Sequence, residues 1–313
     1  MMPIPISSTD LGPVVWQRVQ SNHDRLRKHR PLPRDAVGRL REQLRIYHTY
    51  HSNAIEGNTL TLKETRLILE RGVTIGGKSL REHLEVTNNA QAFDWIWAKA
   101  KPGLRFDHPT LQTLHEIITR GILDSAGQYR RQQVWIGGST HVPPPPSDVV
   151  PLLDDLFAQL PTIRDPVLRT IHLHHRLAFV HPFVDGNGRT ARLAANLVLM
   201  NAGYPPVVVR VRDRRRYYRC LKEADRGRVA SFGEFILRAV DEALVVFLAA
   251  VEPARALVPL KELARRSTYS QEYLALRARQ GVLEAVKIDD VWYSSKRALD
   301  DYVGLRKGRG RSR

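Results

Sequence analysis

Apolar positions recur along this chain at the three- and four-residue spacing of helices far more often than they alternate. Leu40, Leu44 and Tyr47 share one face of a helical pattern running from about 35 to 51. Leu193, Leu197 and Met200 form a similar stripe within residues 190–201, shortly after an apolar run at 177–184. Strand signals are few and short. Val134, Trp135 and Ile136, followed by Gly137 and Gly138, read as a strand and turn. The four prolines 143–146 form a stiff extended connector. The pattern predicts a mainly α fold.

The C-terminal part has its own signature. Pro253 and Pro259 flank a linker, and residues 260–266 read as a short helix. Ser270 is a good N-cap for a second helix over Gln271–Arg279, which Gly281 ends. Residues 286–293 read as a hairpin turning at Asp289-Asp290, with a last helix over 295–302. Helix, turn, helix and wing in that order predict a winged helix-turn-helix module over 253–303. If it reads DNA, the helix from Gln271 enters the major groove, with Lys287, Lys296 and Arg297 near phosphates. A protein partner or a homodimer contact would suit the same module, because fold does not fix function.

A chain of 313 residues with 42% hydrophobic content has room for one large domain and a smaller one. The expected division is an N-terminal helical extension at 1–34, a core at 35–252, the module at 253–303 and a basic disordered tail at 304–313. Cys220 is the only cysteine, which excludes an internal disulfide framework and suits a reducing compartment. The N-terminus has no apolar signal core, and the apolar run 243–251 is too short to span a bilayer. The expectation is a cytoplasmic protein with no membrane partner. Net charge is +17, concentrated in 210–228 and 306–313. Such charge attracts any polyanion and points only weakly to nucleic acid.

Chemistry concentrates in residues 181–192, His-Pro-Phe-Val-Asp-Gly-Asn-Gly-Arg-Thr-Ala-Arg. A glycine-containing turn opening a helix presents several backbone N–H groups and the positive end of the helix dipole, which suits an anion. Arg189 and Arg192 are three apart, so both fall on one helix face, and their planar forks match phosphate oxygens. Asp185 is a hard carboxylate beside that cradle, as Mg²⁺ prefers when it also binds phosphates. His181 is the one group of the motif that titrates near neutrality and is the candidate general base.

The segment resembles the signature of the Fic family, His-x-Phe-x-Asp/Glu-Gly-Asn-Gly-Arg-x-x-Arg, and His181, Phe183, Asp185, Gly186, Asn187, Gly188, Arg189 and Arg192 match it without departure. The resemblance implies a Fic-type helical core with a small β-hairpin flap. It also implies transfer of AMP from ATP to a Ser, Thr or Tyr hydroxyl of a protein, automodification included, with release of pyrophosphate. By that resemblance His181 activates the target hydroxyl and Asp185 holds Mg²⁺ against the α- and β-phosphates. The amides of Gly186 to Gly188 and Asn187 cradle the α-phosphate, and Arg189 and Arg192 orient the β- and γ-phosphates. Family members acting as kinases carry lysine in place of the second glycine, whereas Gly188 is intact. Val134, Trp135, Ile136 and Gly137 resemble the flap over the family's active site, whose edge would dock an extended target segment.

Ser52-Asn53-Ala54-Ile55-Glu56-Gly57 resembles the family's inhibitory motif, Ser/Thr-x-x-x-Glu-Gly/Asn, in its N-terminal form, placing an inhibitory helix at about 35–57. Glu56 would then occupy Arg192 and leave ATP in an unproductive pose, with Ser52 as the motif's first residue. Residues 59–97 resemble the family's long helical connection. Tyr217 and Tyr218 either line the base pocket, as in the family, or are core tyrosines. His172, His174 and His175 are close in sequence but lack the cysteines or paired carboxylate of a zinc site. Two other functions remain open. One is removal of AMP by a hydrolase that uses Glu56 at the same site. The other is a DNA-binding regulator whose core senses nucleotide.

Overall fold

The computed structural model describes residues 6–288 and 290–310. Its helices are α1 (Pro13–Lys28), α2 (Arg34–Ile55), α3 (Leu62–Arg71), α4 (Leu80–Lys99), α5 (His108–Thr119), α6 (Pro146–Gln159), α7 (Pro166–Val180), α8 (Asn187–Asn201), α9 (Arg214–Asp225) and α10 (Ala230–Val251). They are followed by β1 (Val258–Pro259), α11 (Leu260–Arg265), α12 (Gln271–Arg279), β2 (Val286–Ile288), β3 (Val291–Ser294) and α13 (Lys296–Gly310). The fold is mainly α, as the apolar spacing predicts. Among the described residues no helix is long and apolar enough to cross a membrane.

Helix starts follow local chemistry. Thr61 with Glu64 and Ser79 with Glu82 form capping boxes at α3 and α4. Asp165 accepts from the N–H groups of Val167 and Leu168 at the start of α7, and Ser270 caps α12 as expected.

The chain divides into two compact units, one holding residues to 11 and 41–236, the other 12–40 and 237 onward. In the first unit, α4 to α8 surround an apolar core that includes Phe93, Leu111, Leu114, Leu153, Leu177 and Leu193. Leu197 lies in the same core and Met200 at its edge. Helix α8 is buried on nearly all sides, which is the environment of a central helix rather than a surface one. Arg189 and Arg192 are therefore interior residues, at 2% and 3% exposure.

In the second unit, β1, β3 and β2 form an antiparallel sheet in that order. It packs with α11, α12 and α13 around Leu260, Leu263, Leu274, Leu283, Leu299 and Tyr302. The hairpin 286–293 is present, with Asp290 at φ 65°; Asp289 lies outside the described residues. Strand β1 was not legible from two residues ending in proline. Helix α1 joins this unit instead of standing apart as an extension. Arg18 bonds Asp241 and the carbonyl of Gly281, and Asn22 bonds Glu284. Helix α13 continues through 304–310, where the sequence suggested a disordered tail; residues 311–313 lie outside the described residues.

Candidate active site

His181 ends α7 in the left-handed conformation, at φ 50° and ψ 60°, which few residues other than glycine adopt. The chain reverses there and runs through 182–186 into α8. Gly186, at φ 78°, is the N-cap of that helix. Asn187 closes this loop from inside. Its Oδ1 accepts from the Phe183 N–H at 2.9 Å and its Nδ2 donates to the Phe183 carbonyl at 2.8 Å. Both ends of the Asn187 amide thus serve the shape of the loop, which leaves the backbone N–H groups at the start of α8 as the donors an anion there would meet. Phe183 is buried and stacks flat on His115, with centroids 3.6 Å apart.

The ring of His181 faces the site with one nitrogen committed. Nδ1 donates to the Ala178 carbonyl at 3.3 Å, so Nε2 carries the lone pair. Burial pushes the imidazole below its ordinary value of 6.5. The Ala178 carbonyl and Glu56 act upward, and Arg130 and His141 act downward. A neutral imidazole with a free Nε2 is what a general base requires.

Asp185 is drawn into a charged cluster. Its Oδ1 accepts from the Gly186 N–H at 2.6 Å, and its Oδ2 accepts from Arg81 at 2.5 Å. Burial acts to raise its pKa, but Arg189, the Gly186 N–H and Arg81 outweigh it and hold the carboxyl below the usual range. Among the described residues no group of three or more His, Cys, Asp or Glu is gathered for a metal. A single ionised oxygen donor beside an anion cradle nevertheless suits Mg²⁺, which takes one or two protein carboxylates and completes its shell with phosphate and water. Arg81 would have to give up one oxygen. Arg189 sits within the same cluster, 3.1 Å from Glu85 and 3.7 Å from Asp185, so its guanidinium braces the loop from beneath.

The sequence-predicted pairing of Glu56 with Arg192 is present. Glu56 Oε1 is 2.8 Å from the Arg192 guanidinium. Ser52 binds the same side chain, its hydroxyl accepting from Nε at 2.9 Å and its carbonyl from Nη2 at 2.8 Å, while Nη1 is buried without a hydrogen-bond partner among the described residues. Burial opposes the Arg192 charge most strongly, but Glu56 together with Tyr217 and Tyr218 outweighs it, so the pKa stands above the ordinary value. Glu56 follows the last turn of α2, whose end is capped by Arg214 donating to the Ile55 carbonyl at 2.7 Å. A Cβ at position 188 would lie 2.3 Å from Glu56 Oε1, so the glycine leaves the room that the carboxylate occupies.

The two readings of the tyrosines separate. Tyr217 is a core residue at 2% exposure, its hydroxyl bonded to His174 Nε2 at 2.8 Å. It packs under Arg192, whose guanidinium stands 6.0 Å from the ring centre, and is not placed to line an open base pocket. Tyr218 donates to Glu56 Oε2 at 3.4 Å. His172, His174 and His175 go to three different partners, Gln159, Tyr217 and Asp225.

The flap is a loop and turn, not a ladder-forming hairpin. Residues 133–136 form no strand, Gly137 and Gly138 form a turn, and Ser139 N–H bonds the Ile136 carbonyl at 3.0 Å. Gln133 ties the legs by donating to the Pro143 carbonyl at 2.9 Å. The connector prolines remove N–H groups that a ladder would need. Val134 is buried, whereas Trp135 is 75% exposed.

Spacing alone did not reveal Arg81, Glu85, His115 and Arg130. His115 donates from Nε2 to the Asp185 carbonyl and accepts from the Gly127 N–H at Nδ1, pinning the loop from a helix seventy residues away. The only available signal was a charged pair at helical spacing, Arg81 and Glu85, within the stretch before the motif.

Residues 105–199 match the Fic/DOC family. The chain is 37% identical over 231 residues to "Protein adenylyltransferase Fic" of Drosophila willistoni, covering 72% of this chain and 46% of that protein. It spans about half the length of the curated relatives it matches. Among solved structures, Fic-1 (aa134–508) from C. elegans superposes with TM-score 0.66 at 32% identity, over 77% of this chain and 73% of that one. A Fic family protein from Desulfovibrio desulfuricans G20 shares the fold over 95% of this chain and 98% of its own, with TM-score 0.63 at 24% identity. The motif, the loop it builds and these likenesses agree: the chain belongs to the Fic family.

Proposed function

We propose that this chain is an autoinhibited protein adenylyltransferase, moving AMP from ATP to a Ser, Thr or Tyr hydroxyl of a protein target, itself included. One observation carries the proposal: the glutamate that ends α2 pairs at 2.8 Å with the last arginine of the 181–192 motif. The pair engages the arginine that would otherwise face a ligand anion, and the N-terminus of α8 beside it has the character of an anion site. The names of the relatives, protein adenylyltransferases, support the same chemistry.

In the active form the Nε2 of His181 accepts the proton of the target hydroxyl. The oxygen then attacks the α-phosphorus and pyrophosphate departs. Backbone N–H groups at the start of α8 stabilise charge developing on the phosphate oxygens. When bound, Mg²⁺ would neutralise charge on the phosphates, with Asp185 as its protein ligand. Arg192, once released by Glu56, is free to take the γ-phosphate. Val134, Trp135, Ile136 and Gly137 present an extended edge for the target segment. Arg189 acts from beneath the loop through Asp185, and Tyr217 acts by supporting Arg192, rather than either touching nucleotide. With a lone buried cysteine and ATP as co-substrate, the cytoplasm is the natural site of action.

The test uses α-labelled ATP with Mg²⁺ and compares wild type, Glu56→Gly, and Glu56→Gly with His181→Ala. Label on protein that rises in the first variant and vanishes in the second is the expected result. Silence in all three, with other nucleotides also silent, would overturn the proposal.

A second reading has its own support. Glu56 acts electrostatically on His181, which supports a role for its carboxylate in removal of AMP at the same site. Release of AMP from a modified protein, dependent on Glu56, would identify that activity. The strand–helix–helix–strand–strand order of the second unit suits a winged helix, and sequence-selective DNA binding that survives His181→Ala would favour a regulator.

A further inference from the structure

Arg130 is buried at 3% exposure, and its contacts are all with backbone carbonyls. Nε donates to the His181 carbonyl at 2.8 Å, and Nη2 to the Val180 carbonyl at 3.3 Å. The last carbonyls of a helix have no partner inside it, so the guanidinium satisfies the end of α7 where His181 turns left-handed. The remaining bonds go the other way. Nη1 donates to the Gln132 carbonyl at 3.1 Å, and Nη2 to the Pro144 carbonyl at 2.5 Å. Those two carbonyls belong to the two legs of the flap. The backbone N–H of Arg130 closes the set by donating to the Pro182 carbonyl at 2.9 Å.

A buried guanidinium loses hydration, which its own lowered pKa reflects. The loss is made good only if the fork's donors are matched, and here they are matched by carbonyls from both structures the reaction must hold together. Lysine could not reproduce this, because its ammonium is a compact point charge rather than a planar fork. His141 adds a lighter tie from the flap, through its Nε2 to the Phe179 carbonyl at 2.8 Å.

We propose that Arg130 is a positioning residue that couples the flap to the base. It locks Val180–Pro182 and both flap legs in one geometry, so that a target segment lying on the flap presents its hydroxyl to His181. The proposal rests on the adenylyltransferase reading for its consequence, but the coupling itself is a property of the fold.

Two measurements test it. The first is native-state hydrogen exchange on the unmutated full-length chain. The protected amides of Arg130, His181, Phe183 and Ser139 should open as one unit, with the same opening free energy and the same denaturant dependence. Separate opening of Ser139 from the other three would overturn the coupling, whatever the chain's activity. The second compares Arg130→Lys with its parent in the Glu56→Gly background. The expected result is a fall in kcat on the order of 10²-fold, the cost of misplacing reacting groups by about an ångström. KM for ATP should stay within about threefold, since nucleotide is held elsewhere. A kcat within about threefold of the parent, or a parallel loss of ATP binding, would overturn the positioning role. A parent that transfers no label defeats the adenylyltransferase reading alone. The exchange measurement then still decides the coupling, as it does if Arg130→Lys does not fold.

Discussion

Glu56 Oε1 stands 2.8 Å from the Arg192 guanidinium, in space that exists because position 188 has no side chain: a Cβ there would come within 2.3 Å of the same oxygen. Gly188, in the first turn of α8, thus admits the protein's own carboxylate. On the adenylyltransferase reading proposed above, the Glu56 carboxylate and a substrate phosphate would be alternative occupants of one electropositive helix end, and the strength of the Glu56–Arg192 contact would set how strongly the chain is held down.

The contact should be measurable as a coupling energy. Breaking a fully buried ion pair costs ~3–5 kcal/mol, and Glu56 is 29% exposed on its side chain, so Glu56→Gln should cost less, about 1–2 kcal/mol. In a Gly188→Ala background the carboxylate is already displaced, and Glu56→Gln should cost almost nothing. A double-mutant cycle by denaturant unfolding reads this directly; equal costs in the two backgrounds would refute the shared-space account. The activity gain of Glu56→Gly should fall within the usual range of intramolecular coupling, roughly 5–150-fold.

The pH dependence of transfer follows from His181. Its folded-state pKa is depressed below 6.5, chiefly by burial, and the neutral form is the active base. In the Glu56→Gly variant kcat/KM should therefore be level at and above pH 7 and decline as pH falls below 6.5. Initial rates across pH 5–9 check this, and an inflection above 7 would contradict it.

Stability should show a related acid limb. Burial pushes His48 and His174 down to about 3 and His115 to about 4. Depressed histidines bind protons in the unfolded chain before they do so in the folded one. Their contribution is complete above 6.5 and is lost as pH falls from there toward 3–4. Each contributes about 1.4 kcal/mol per pH unit across that window. Urea midpoints at pH 7.5 and 5.5 should differ clearly, and His115→Gln should narrow the difference.

Arg81 should tune the demand for Mg²⁺. It pairs with Asp185 at 2.5 Å, with half-exposed side chains on both sides, so the pair is worth up to about 1 kcal/mol. In the Glu56→Gly background, Arg81→Ala should lower the Mg²⁺ concentration for half-maximal transfer by up to about fivefold. An unchanged or increased requirement would show that Arg81 does not compete for the carboxylate.

Much of the site was legible because its parts are contiguous. A base, a carboxylate, two glycines and two arginines fall within twelve residues, and a helix starting at Asn187 fixes their relative directions. Ser52 and Glu56 were legible from their own short motif at the end of an amphipathic helix. The assignments that shifted were those resting on which way a side chain faces. Asn187 turns inward to close its loop, Arg189 braces Asp185, and Tyr217 reaches back to His174. The flap has the composition of a strand but sits beside prolines that cannot donate to a ladder.

The sequence by itself determined the mainly helical class and the helix that Ser270 caps, and it pointed to an anion site at residues 186–192. Each of these depends on neighbours within one or two turns, where spacing and capping chemistry act directly. Tertiary structure alone decided that α8 is buried on nearly all sides, that Arg192 is shared between Ser52 and Glu56, and that α1 joins the C-terminal elements. It alone decided that Arg130 joins the flap to the base. Those outcomes depend on burial and on hydrogen bonds between residues tens to hundreds of positions apart, and the desolvation of a charge leaves no periodic trace along the chain.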